Sequence, residues 1–66
     1  MITEIGIAAG DIWHYLDQRK SSTLSQLVKA IDKDRTLVLM SLGWLAREGH
    51  VIMEADGNDY KVTLRF

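Results

Sequence analysis

Residues 37–51, LVLMSLGWLAREGHV, limit the folds open to this chain more than any other stretch. The segment has the length of a helix, stops at Gly49, and is apolar on every side. At 100° per residue, Ser41, Leu42 and Leu45 fall within about 60° of Val38 and form a core-facing stripe. The opposite half carries Met40 and Gly43, flanked by Leu37, Leu39 and Trp44. Only Thr36 and Arg47 are polar there. A helix that is apolar all round is normally buried all round. In a chain of 66 residues, one side faces the core and the other requires a partner.

The length sets one domain, residues 1–66. A chain this short buries only about 60% of the surface its unfolded form exposes, so its stability alone is marginal. With no Cys, neither a disulfide framework nor a thiolate metal site is available. Oligomerisation is then the expected source of added stability. No apolar run approaches the roughly 20 residues of a membrane span. The N-terminus lacks the basic and apolar regions of a signal peptide. A cytoplasmic protein is the expectation.

In chain order, Thr3 is the expected cap of a first helix, with Glu4 in its first turn. Ile5, Ala8, Ala9, Ile12, Tyr15 and Leu16 share one face, and the helix should run to about Lys20. Gly6 and Gly10 lie one turn apart on the flank near Trp13. Each costs close to 1 kcal/mol relative to Ala in a helix interior. Either another backbone approaches closely there or the glycines are simply tolerated. Ser21 and Ser22 break the helix and can form a short edge strand. Thr23 and Gln26 fit a capping box, opening a second helix whose apolar face is Leu24, Leu27, Val28 and Ile31. A three-residue turn, Asp32–Asp34, leads to the third helix, with Asp34 as its N-cap. Two helices joined by so short a turn read as a helix-turn-helix.

Beyond Gly49 the period changes from 3.6 to 2. Val51, Met53 and Ala55 share one parity; Tyr60, Val62, Leu64 and Phe66 share another. The turn-forming run Asp56–Asp59 separates them. Pairing Ala55 with Tyr60 sets Met53 against Val62, Val51 against Leu64, and Glu54 against Lys61, an attractive cross-strand pair. A slip by one residue sends an apolar set to solvent; a slip by two opposes Glu54 to Asp59. The predicted fold is α+β: three helices followed by a C-terminal hairpin, a winged helix-turn-helix.

The stretches IGIAAGDIWHYL (Ile5 to Leu16) and LGWLAREGHV (Leu42 to Val51) carry an AG-x-IW-x-x-L pattern and a GWLARE pattern. On these the chain resembles the small prokaryotic winged helix-turn-helix domain family long labelled a domain of unknown function. Gly-Trp inside the third helix is unusual among winged helices. The resemblance implies this fold over essentially the whole chain, together with self-association. It implies no biochemical activity.

The residues support two functional readings of different class. The first is a non-enzymatic protein-interaction module, primarily a homodimer, with Leu37, Met40, Gly43 and Trp44 at the interface. Ile7, His14 and Ile52 are further candidates. Interface cores are rich in aromatics and Met and poor in charge. Trp44 has two open placements, the interface or the core beneath the hairpin. The alternative is a DNA-binding transcriptional regulator that uses the helix-turn-helix and wing, with contacts from Arg35, Thr36, Arg47, Lys61 and Arg65. From Asp32 onward, however, five bases face six acids. Leu39, Met40 and Trp44 cannot read base edges through hydrogen bonds. Nucleic acid is therefore disfavoured as a partner, by charge. Asp11, His14 and Asp17, spaced i, i+3, i+6, lack a fourth ligand and second shell, so a solvated flank rather than a metal site is expected. The serines have no base beside them in a recognisable motif, and Glu48 and Glu54 show no acid–base pairing. No enzymatic activity, cofactor, small-molecule substrate or membrane contact is expected.

Overall fold

The computed structural model describes residues 1–65. The order is α1 (Ile2–Arg19), β1 (Ser21–Thr23), α2 (Leu24–Ile31), α3 (Arg35–Arg47), β2 (Val51–Asp56) and β3 (Asp59–Leu64). The helices cover one face of an antiparallel sheet in the order β1-β3-β2. This is the α+β winged-helix architecture, with Ser21 and Ser22 in the short edge strand.

α1 starts earlier than the sequence suggests. Met1, not Thr3, holds the N-cap position and supplies no side-chain cap. Its carbonyl accepts from the Ile5 amide at 3.0 Å, which adds Ile2 to the helix. Its ammonium lies 2.6 Å from Glu4. At the other end Lys20 adopts φ 71°, unusual for a residue with a Cβ, and its amide closes on the Leu16 carbonyl at 2.6 Å.

The other helix ends follow their local chemistry. Thr23 and Gln26 form the complete capping box: the Gln26 amide donates to Thr23 Oγ1 and the Thr23 amide to Gln26 Oε1, each at 3.1 Å. Asp34 caps α3 by accepting from the Thr36 amide at 3.1 Å. α3 ends in a Schellman motif. His50 donates to the Leu45 carbonyl at 2.9 Å and Gly49 to that of Ala46 at 3.1 Å, with Gly49 at φ +80°.

The hairpin register is the one the side chains demand: Val51 opposes Leu64, Met53 Val62, Glu54 Lys61 and Ala55 Tyr60. Asp56 pairs with Asp59, leaving Gly57 and Asn58 as a two-residue loop with Gly57 at φ +63°, as a type II′ turn requires. The expected inward position of Phe66 lies outside the described residues. The core joins Ile12 and Leu16 of α1, Leu24 and Leu27 of α2, Val38, Leu42 and Leu45 of α3, and Val51, Val62 and Leu64 of the sheet. Ser41, also on the buried stripe, is satisfied by the Leu37 carbonyl at 2.8 Å.

Candidate functional site

The buried face of α3 is the predicted one: Val38, Ser41, Leu42 and Leu45. Its other side stays open. Met40 remains 37% exposed and Trp44 50%; Leu39 and Gly43 are exposed and Leu37 half-buried. Trp44 thus takes neither a core position nor a place beneath the hairpin. It stands against the start of α1, where Ile2, Ile5, Gly6 and Trp44 line an open cleft.

With Thr3 as the expected cap, the sequence places Ile5 and Gly6 in the first helix but leaves Ile2 outside it, so the contribution of Ile2 to this cleft is not legible from sequence. One signal was present. At 100° per residue Ile2, Gly6, Gly10 and Trp13 lie within about 80° of one another on the flank of α1. Ile2 is 87% exposed, and a Cβ built on Gly6, Gly10 or Gly43 meets no atom within 4 Å. Among the described residues, no backbone outside their own helices approaches these glycines. The start of α1, through Ile2, Ile5 and Gly6, thus shares one cleft with Trp44 of α3.

The remaining candidates are spread out. Ile7 and Ile52 are both exposed, Ile7 on the outer side of α1 and Ile52 on the outer sheet face opposite Thr63. Neither lines the cleft. His14 is exposed, with its ring in edge contact with Trp13 at 5.7 Å. Asp11 and Asp17 are exposed as well, and among the described residues no group of three or more potential ligands is placed to hold a metal ion. Among the described residues, no helix is long and apolar enough to cross a membrane.

The candidate DNA contacts Arg35, Thr36, Arg47, Lys61 and Arg65 are all exposed and are divided between α3 and the wing. Arg35 and Arg47 stand at opposite ends of α3, about 18 Å apart at 1.5 Å per residue. Lys61 is paired across the sheet with Glu54. The start of α3 is bracketed by carboxylates: Asp34 caps it, and Asp59 of the wing lies within electrostatic reach of Arg35. The Asp59 carboxyl is held below the ordinary carboxylate range, first by the Tyr60 amide and then by the Ser25 hydroxyl, so it stays anionic.

Comparisons with known proteins agree with this architecture. The family described as "Winged helix-turn-helix domain (DUF2582)" matches residues 1–64. The uncharacterized protein MJ1608 of Methanocaldococcus jannaschii is 35% identical over 65 residues, covering 94% of this chain and 91% of that protein. The solution structure of protein BT2368 from Bacteroides thetaiotaomicron superimposes with a TM-score of 0.81 over 94% of this chain and 76% of its own. At 24% identity, that likeness concerns the fold. With the family match spanning nearly every residue, the chain belongs to the winged helix-turn-helix domain family DUF2582.

Proposed function

We infer that this chain is a non-enzymatic protein-interaction module that self-associates as a homodimer through the outer face of α3. The observation that carries this reading is the exposure of Met40 and Trp44, with Gly43 between them, on the helix that a DNA-reading member would place in the major groove. Such a helix needs polar side chains aimed at base edges and cations for phosphates. Here the middle of the exposed face supplies a thioether, an indole and a bare backbone. The charge balance from Asp32 onward, five bases against six acids, argues in the same direction.

The same composition suits a protein interface, where aromatics and Met concentrate at the core and charge is depleted. A two-fold axis makes one patch serve both partners, the commonest route to a closed oligomer. Covering the remainder of Met40 and Trp44, with Leu37 at the margin, would contribute several kcal/mol per dimer at roughly 25 cal/mol per Å², before association costs.

Light scattering coupled to size exclusion, run on the wild type and on Met40→Glu, tests the reading. Met40 lies off the Val38–Leu42–Leu45 stripe, so the variant should keep its helical spectrum and become monomeric. A wild type that is monomeric at several hundred micromolar, with Met40→Glu equally well folded, rules the interface out.

A further inference from the structure

We propose that Asp59 couples the wing to the helix-turn-helix, so that the first turn of α2 and the outer half of the hairpin open and close as one unit. This coupling lies within one chain and does not depend on how the chain self-associates.

The β1–β3 register pairs Ser21 with Thr63, Ser22 with Val62 and Thr23 with Lys61. Carried two steps further, it would set Ser25 opposite Asp59. The chain instead leaves the sheet at Leu24 and turns into α2, so the backbone ladder stops short of these two residues. The Asp59 side chain spans the gap. Its Oδ1 accepts from the Ser25 amide at 3.2 Å and from the Tyr60 amide at 2.8 Å. One oxygen atom thus holds an amide of α2 beside an amide of β3, and the Ser25 contact spans 34 residues of sequence.

α2 depends on such support. It has 8 residues, fewer than the roughly 12–15 at which a helix becomes even marginally stable alone in water. The first-turn amides of a helix have no partner within it. Thr23 and Gln26 satisfy each other through the capping box. The Ser25 amide between them is met, among the described residues, by the wing carboxylate, which also faces the positive end of the helix dipole.

The dependence runs both ways. The Arg65 amide donates to the His50 carbonyl at 2.9 Å, and bonded pairs alternate along an antiparallel ladder. Further out, the bonded pairs are therefore Ile52–Thr63, Glu54–Lys61 and Asp56–Asp59. The last of these sets two carboxylates opposite each other, an unfavourable pair. The charged form of Asp59 is favoured by the Tyr60 amide, the Ser25 hydroxyl and amide, and Arg35. Apart from the Tyr60 amide, these groups belong to α2 and α3, not to the hairpin. A displacement of the wing tip is thereby felt at the start of α2.

Amide hydrogen exchange, followed by NMR at near-neutral pH and one protein concentration, tests the coupling. Gly57 stands at φ +63°, where Ala is strained, so Gly57→Ala loosens the turn without altering Asp59 or α2. In the otherwise native chain it should speed exchange of the Glu54 and Lys61 amides by roughly tenfold, and that of the Gln26 and Val28 amides by the same factor. On an Asp59→Ala background it should speed the hairpin amides only. The Leu16 and Leu45 amides report global unfolding and should change less than either set. Acceleration confined to the hairpin in both backgrounds means that α2 and the wing open independently, which overturns the proposal. Acceleration of α2 in both backgrounds assigns the coupling to the β1–β3 ladder rather than to Asp59, with the same consequence. Equal acceleration at Leu16 and Leu45 means that no unit smaller than the whole chain opens, which overturns it as well. Ala55→Gly, a milder weakening of β2, replaces Gly57→Ala if circular dichroism shows that variant unfolded.

Discussion

Gly6 of α1 and Trp44 of α3 line the two sides of one cleft, and among the described residues nothing beyond the local helix backbone lies within 4 Å of where a Gly6 Cβ would stand. In the isolated chain this glycine therefore has no packing reason to be glycine. Gly6→Ala should raise the stability of the monomer by up to about 1 kcal/mol, the helix-propensity difference, while weakening self-association. Denaturant melts at low micromolar concentration, compared with sedimentation at high concentration, check both signs. A tighter dimer in Gly6→Ala would show that no close approach occurs at this position.

The capping box at the start of α2 is a purely structural device. Thr23→Ala removes the acceptor for the Gln26 amide and should cost about 1 kcal/mol. Equilibrium unfolding in urea measures this, and self-association, corrected for the unfolded fraction, should not change.

Much of this fold is legible in the sequence because its constraints are local and mutually consistent. The hairpin register follows from side-chain parity together with Glu54 opposite Lys61, and Gly49 marks the end of α3 because only a left-handed residue closes a Schellman motif comfortably. The site is less legible. The α3 face could be listed by helical arithmetic, yet the same arithmetic could not tell whether Trp44 turns toward the hairpin or toward α1. That depends on where α1 begins, and Met1 caps it by a backbone carbonyl alone, which leaves no side-chain signal. The thirty-four-residue link from the Ser25 amide to Asp59 Oδ1, 3.2 Å, is likewise visible only once β3 is placed beside α2.

That link gives a pH dependence. The Asp59 carboxyl is held low by the Tyr60 amide and the Ser25 hydroxyl. A carboxylate with a depressed folded pKa adds stability that is fully present above its unfolded value, about 4, and is lost as the pH falls through the folded value. The Tm of the wild type should therefore drop on acidification below about pH 4, and Asp59→Asn should drop less over the same range. Parallel Tm profiles for the two proteins would count against the Asp59 contribution.

DNA binding at physiological salt should be no tighter than the non-specific range of about 10⁻⁴ to 10⁻⁶ M. The carboxylates around the start of α3 and the apolar middle of its exposed face are the reasons. Selection from random duplexes, followed by titration, checks this. A consensus site bound with nanomolar affinity would overturn it.

The most direct test of the central claim is an isotope-filtered NMR experiment on an equal mixture of labelled and unlabelled chains at several hundred micromolar, which detects only contacts between molecules. The Met40 methyl group and the Trp44 indole protons should both show intermolecular contacts. The absence of any such contact from either side chain, in a sample that is nonetheless folded, would contradict a dimer built on the outer face of α3.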